Sequence, residues 1–181
     1  KERKQNVKFT CGVSINNLSL NENDIGDFRT FLKLSPPLRT EEDRLSLIEA
    51  INKNLIDVIV SDHKPEDEES KRLTFTQAAT GASGIETLLP LSLELFHNGS
   101  VKLYRIIELL TSNPAKILKI NKGNLSIGND ADFCIVDVSK PWIVKKEKMI
   151  SKSKNTCIEN KKLQGKVLCT YISGNELFNL K

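Results

Sequence analysis

A chain of 181 residues that is 39% hydrophobic can bury a real core, and its length fits one domain, or one domain and a piece of another. Its 27 basic and 23 acidic residues give a net charge of +4; the basic ones gather around Lys145-Lys146, Lys148, Lys152, Lys154 and Lys161-Lys162, without interleaved aromatics, so no nucleic-acid partner is expected. The best apolar run, Leu55 to Val60, is broken by Asp57 and falls short of the roughly 20 residues of a membrane span, and no signal-peptide pattern opens the chain, so no membrane partner is expected either.

Lys1-Glu2-Arg3-Lys4-Gln5 reads as the end of an exposed helix rather than a start, and the chain is therefore expected to be a fragment. Val7 to Val13 has strand character and runs into Ser14 to Asp27, where abundant Asn and Asp predict a loop. Ser35-Pro36-Pro37 blocks helix. Thr40 then offers an N-cap, with Glu41, Glu42 and Asp43 in the first turn of a helix reaching about Lys53; Leu45, Ile48 and Ile51, with Leu47 beside them, make its buried stripe.

Ile56 to Val60 is short, β-branched and bounded by polar residues, the pattern of a parallel strand buried on both faces. Helices are expected from Gly84 to about His97 and from Leu103 to about Thr111, and a short one opens at Asn113-Pro114. From Gly123 the texture turns to β, with strands at Asp132 to Asp137, Trp142 to Val144 and Val167 to Ser173, and a turn at Gly174-Asn175. The fold class is α/β, with two units meeting near residue 120. The four cysteines, Cys11, Cys134, Cys157 and Cys169, lie far apart without a Cys-x-x-Cys pair, which argues against a zinc ribbon and fits a reducing cytoplasm.

Asp62 and His63 sit just past the carboxyl end of the predicted parallel strand, where α/β enzymes place catalytic groups. Taken alone, the pair reads equally well as a turn in which the aspartate caps the next segment.

Several blocks of the sequence lie around this pair. They are Ser35-Pro36-Pro37-Leu38-Arg39, Ile56 to His63, Thr80-Gly81 with Gly84-Ile85-Glu86-Thr87, Thr111 to Ala115, Gly128 to Asp132, and Ser151 to Thr156. In order and spacing they resemble the dihydroorotase branch of the amidohydrolases over nearly the whole chain. The resemblance implies the C-terminal portion of a TIM-like (β/α)8 barrel over residues 1–120, with Val7 to Val13 as the seventh strand and Ile56 to Ser61 as the eighth. Residues 121–181 would form part of a small β-rich composite domain. It also implies a zinc-dependent hydrolase of cyclic amides that interconverts N-carbamoyl-L-aspartate and L-dihydroorotate in pyrimidine biosynthesis.

On that resemblance Asp62 is a metal ligand and the proton shuttle between attacking water and leaving nitrogen. Ser35, His63, Glu66, Thr80 and Gly81 fall on the substrate side, glycine allowing close backbone approach. One or two zinc ions are implied, with most ligands expected upstream of residue 1, because the chain adds only His63 and His97 to Asp62. Homo-oligomers, association with aspartate transcarbamoylase and a cytoplasmic location are implied too.

The chain departs from the family at Ser35, where an Asn contacts substrate, and at Glu66, where a His pairs with the substrate carboxylate. Near Thr10 to Val13 the family continues with Glu and Pro-His-His, where this chain has Gly12 and Ser14-Ile15-Asn16-Asn17. These departures keep two other readings open: a noncatalytic homologue acting as a scaffold for aspartate transcarbamoylase, and an enzyme of the hydantoinase or allantoinase type. His97 is expected to cap a helix end, Glu86 to make a structural hydrogen bond, and Arg39 to brace the Pro-Pro loop.

Overall fold

The structure, a computed structural model, describes residues 8–180. The helix end expected at residues 1–5 and the first residue of the predicted strand, Val7, lie outside them. Among the described residues the first strand is β1 (Gly12–Ser14), which pairs in parallel with β2 (Val58–Val60), Val13 standing opposite Ile59. Both are buried. Cys11 prolongs the contact beyond the ladder: its N–H donates to the Asp57 carboxylate at 2.7 Å and its carbonyl accepts from Asp57 N at 2.8 Å.

Parallel neighbours need a crossover, and two helices lie along it. The first, α1 (Ile15–Ser19), falls where a loop was expected. Counting Asn and Asp hides the i,i+3 pair Ile15 and Leu18, both fully buried, while Ser14 Oγ caps the helix by accepting from Asn16 N at 3.3 Å. The second, α2 (Glu41–Asn52), begins as expected at Thr40, whose Oγ1 accepts from Asp43 N at 3.1 Å.

The buried stripe of α2 differs from the expected one by one position. Ile48 and Ile51 are buried, but Leu45 is 52% exposed. Arg44 takes its place on the inner face, donating to Leu18 O at 3.0 Å and pairing with Glu41, so the stripe turns toward α1. Arg44 and Asn21 together hold the Glu41 carboxyl down at about 2. Arg39 pairs with Asp43 rather than with the Pro-Pro loop.

After β2 come the short α3 (Glu68–Lys71), then α4 (Leu88–His97), α5 (Leu103–Leu110) and α6 (Ser112–Leu118), with a single 3₁₀ turn at Ile85–Thr87 leading into α4. Leu91, Leu93, Ile106 and Leu109 are fully buried, and each such side chain contributes about 1.5–3 kcal/mol. Asn113 ties α6 to the parallel pair, its Nδ2 donating to Asp57 O at 2.9 Å.

The remainder is an antiparallel sheet, β3 (Phe133–Ile143), β4 (Lys162–Ile172) and β5 (Asn175–Asn179), in that order. The two strands expected at residues 132–137 and 142–144 are one, because the pairing is irregular between Asp137 and Pro141 and tolerates a proline there. All of β5 is exposed, and its polar sequence gave no strand signal beyond the turn at Gly174. β4 rests on α4: a Cβ at Gly165 would lie 2.4 Å from Leu93 Cδ1. Val144 and Leu163 accordingly join the core built by α1, α2, α4 and α5.

Candidate active site

β2 delivers the chain into Ser61-Asp62-His63. Asp62 is half-buried and adopts φ 49°, a left-handed conformation that aspartate accepts more readily than most residues and that costs about 1–2 kcal/mol. The turn sends the following residues alongside the segment 80–85. His63 bridges to Ala82 in parallel, and Lys64 N donates to Ala82 O at 2.9 Å. On the other side of Asp62, the Ser61 carbonyl lies so close to Gly84 that a Cβ there would sit 2.7 Å from it.

His63 fixes this arrangement. Its Nδ1 accepts from Gly84 N at 3.1 Å and from Ile85 N at 3.4 Å, at the start of the turn that leads into α4. In the neutral ring the proton therefore sits on Nε2, which has no hydrogen-bond partner among the described residues.

Gly81 is buried with φ 142°, and a Cβ there would approach Lys64 O to 2.6 Å. Its N–H donates to Lys33 O at 3.0 Å and its carbonyl accepts from Asn155 Nδ2 at 3.2 Å. The glycine's close approach is thus to Lys64, and both its backbone polar groups have protein partners. Thr80, beside it, is half-buried.

Ser35 is exposed and precedes Pro36 through a cis peptide bond, two residues beyond the Lys33 carbonyl that holds Gly81. The Ser35 arm and the Thr80–Gly81 loop are therefore neighbours. Glu66 is half-buried and pairs with Lys64 at 3.4 Å, which offsets its negative charge; sequence reading gave Lys64 no role.

Asn155 holds these pieces from the C-terminal segment. Only 2% exposed, its Oδ1 accepts from Glu66 N at 3.3 Å, from Ser83 Oγ at 3.2 Å and from Ser153 Oγ. The same Ser153 proton has Glu66 O as an alternative acceptor, at 2.5 Å. Glu86 makes the structural bonds expected of it, accepting from Ile150 N at 3.0 Å and Ser151 N at 2.9 Å. Asn155 and Ser153 belong to a sequence block noted for its resemblance, but nothing in their spacing pointed to these partners.

His97 ends α4, whose ten residues span about 15 Å, while the other end of α4 leads back to His63. It therefore stands far from Asp62. Among the described residues no group of three His, Cys, Asp or Glu side chains is placed to hold a metal ion. Asp62 could supply one ligand, too few for a site needing about three protein ligands.

The amidohydrolase family pattern matches residues 4–177. The chain is 42% identical over 176 residues to a dihydroorotase of Ehrlichia canis (strain Jake), covering 97% of this chain and 39% of that protein. To a dihydroorotase of Aquifex aeolicus (strain VF5) it is 38% identical over 176 residues, covering 97% of this chain and 42% of that protein. It thus spans about two fifths of the length of these relatives. Among solved structures, an L-hydantoinase (dihydropyrimidinase) from Arthrobacter aurescens superposes with a TM-score of 0.90 at 28% identity, over 98% of this chain and 41% of that one. With a family match that takes in nearly its whole length, this chain belongs to the amidohydrolase family.

Proposed function

We propose that the chain is the C-terminal part of a dihydroorotase, a hydrolase of cyclic amides that interconverts N-carbamoyl-L-aspartate and L-dihydroorotate. Residues 1–120 then supply the last strands and helices of a TIM-like barrel, with β1 and β2 as its final strands, and residues 121–181 part of a small β-rich domain. The observation that carries the reading is Asp62: a carboxylate just past the end of a parallel strand, in a left-handed turn between Ser61 against Gly84 and His63 against Ala82.

A carboxylate there accepts a proton from the water that attacks the ring carbonyl and gives it to the ring nitrogen as the C–N bond breaks. The ring opens to the carbamoyl acid, and the reverse order closes it. Nε2–H of His63 and Thr80 serve as substrate contacts beside the same turn, Gly81 shapes the Thr80 loop with its own backbone groups taken by Lys33 and Asn155, and Ser35 and Glu66 flank them. The described residues alone do not fit a zinc site, so the one or two zinc ions of this reading depend on ligands from a longer protein, with Asp62 as one ligand. A cytoplasmic homo-oligomer, with aspartate transcarbamoylase as a further partner, belongs to the same proposal.

The test uses full-length protein. Asp62→Asn is expected to lower turnover of dihydroorotate by about 10²–10⁴-fold while circular dichroism and the unfolding midpoint stay as in wild type. Unchanged turnover removes the role of Asp62. The superposition on the L-hydantoinase favours a second reading in which the ring is a hydantoin or related ureide. Assaying dihydroorotate, hydantoin and allantoin side by side separates the two, and activity on none of them favours the noncatalytic scaffold.

A further inference from the structure

Lys71, at the end of α3, is 1% exposed. Its ammonium donates to three backbone carbonyls, Ala79 O at 2.8 Å, Thr30 O at 3.0 Å and Lys33 O at 3.5 Å. Its own carbonyl accepts from Thr30 Oγ1. Burying an ammonium is costly, and a methionine would fill the same space without that cost. Burial pulls the Lys71 pKa below the ordinary lysine value, with Lys33 and Lys64 adding to the effect and Glu66 and Cys157 opposing it.

What the ammonium joins explains its presence. Thr30 and Lys33 lie on the arm that leads to Ser35. Ala79 directly precedes Thr80 and Gly81. The Lys33 carbonyl accepts from Lys71 on one side and from Gly81 N, at 3.0 Å, on the other. Lys33 reciprocates, its Nζ donating to Thr76 O and Ala78 O, both at 2.8 Å. The Ser35 arm thus lends two carbonyls, and the Thr80–Gly81 loop one, to the same tetrahedral donor.

We propose that Lys71 is a positioning residue that staples the Ser35 arm to the Thr80–Gly81 loop and thereby sets the affinity of the site for its cyclic amide. The substrate half of this statement rests on the dihydroorotase reading; the staple itself does not. Lys71→Met removes the three donors at nearly constant volume, and Lys71→Gln keeps two donors without the charge.

In full-length Lys71→Met protein, amide exchange is expected to rise about tenfold or more in residues 30–35 and 79–84, while α2 and α5 exchange as in wild type. The KM for dihydroorotate is expected to rise about tenfold, with a smaller fall in kcat, since a displaced contact loop weakens binding before chemistry. Lys71→Gln is expected to lie between wild type and Lys71→Met, and it carries the comparison if the Met variant does not fold.

Unchanged exchange in both arms of a folded variant overturns the staple. An unchanged KM, with kcat reduced only in proportion to the folded fraction, overturns the positioning role and leaves Lys71 a stability residue. Wild-type protein inactive on dihydroorotate overturns the substrate reading instead, and the exchange measurement still decides the staple.

Discussion

Asp62 and His63 share one turn, the aspartate at φ 49° and the histidine accepting from Gly84 N at 3.1 Å. A β-branched strand followed at once by Asp-His marks Asp62, because a carboxylate at a strand end follows from the chain's own order. The role of His63 follows from Gly84 and Ile85, from whose N–H groups its Nδ1 accepts, and backbone N–H groups 21 and 22 residues away leave no mark on the local sequence. Cys157 was likewise silent. Burial pushes its thiol up to about 11 from the ordinary 9.0, so the folded chain holds this proton more tightly than the unfolded chain does. Its contribution to stability is therefore full below pH 9 and declines as pH rises through 11. Native alkylation at pH 8.5, followed by mass spectrometry, is expected to label the exposed Cys134 well before Cys157. Equal rates at the two would contradict this.

At the level of elements, what could be read depended on whether the partners were local. Thr40 and the acidic turn after it announced α2, because a cap and its N–H acceptor lie three residues apart. α1 escapes the local pattern because two buried apolar residues sit among polar ones, and Leu45 leaves the buried stripe because Arg44 turns inward to reach Leu18 O. The segment Ser151 to Thr156 has no regular structure of its own, yet through Asn155 it holds Glu66 N and Gly81 O. Asn155→Ala leaves those two groups without partners, and the expected loss of stability is about 2–4 kcal/mol by urea unfolding. The same substitution is expected to raise exchange at Glu66. A loss below about 0.5 kcal/mol would show that water replaces the amide at little cost.

At the scale of the molecule, one core runs from β1 through the helices to Val144 and Leu163, yet the parallel sheet within it has only two strands among the described residues. A two-stranded sheet has two edges open to further strands, and Val60 on β2 is an apolar residue 43% exposed. The isolated chain is therefore expected to self-associate or precipitate at micromolar concentration, and a compact monomer in sedimentation velocity would contradict that. Local residue patterns carry the parallel strand and the aspartate just past it, the capped helix before it, the turn to β structure after residue 120 and the blocks that resemble the amidohydrolases. Each of these is written in the spacing of neighbouring residues. The bonds that tie the surrounding segments together belong to the tertiary fold alone: His63 against Gly84, Asn155 across Glu66 and Gly81, and Lys71 between the two arms. Those bonds end on backbone N–H and C=O groups far along the chain, and a backbone group is the same at nearly every position, so no residue pattern records which one is taken.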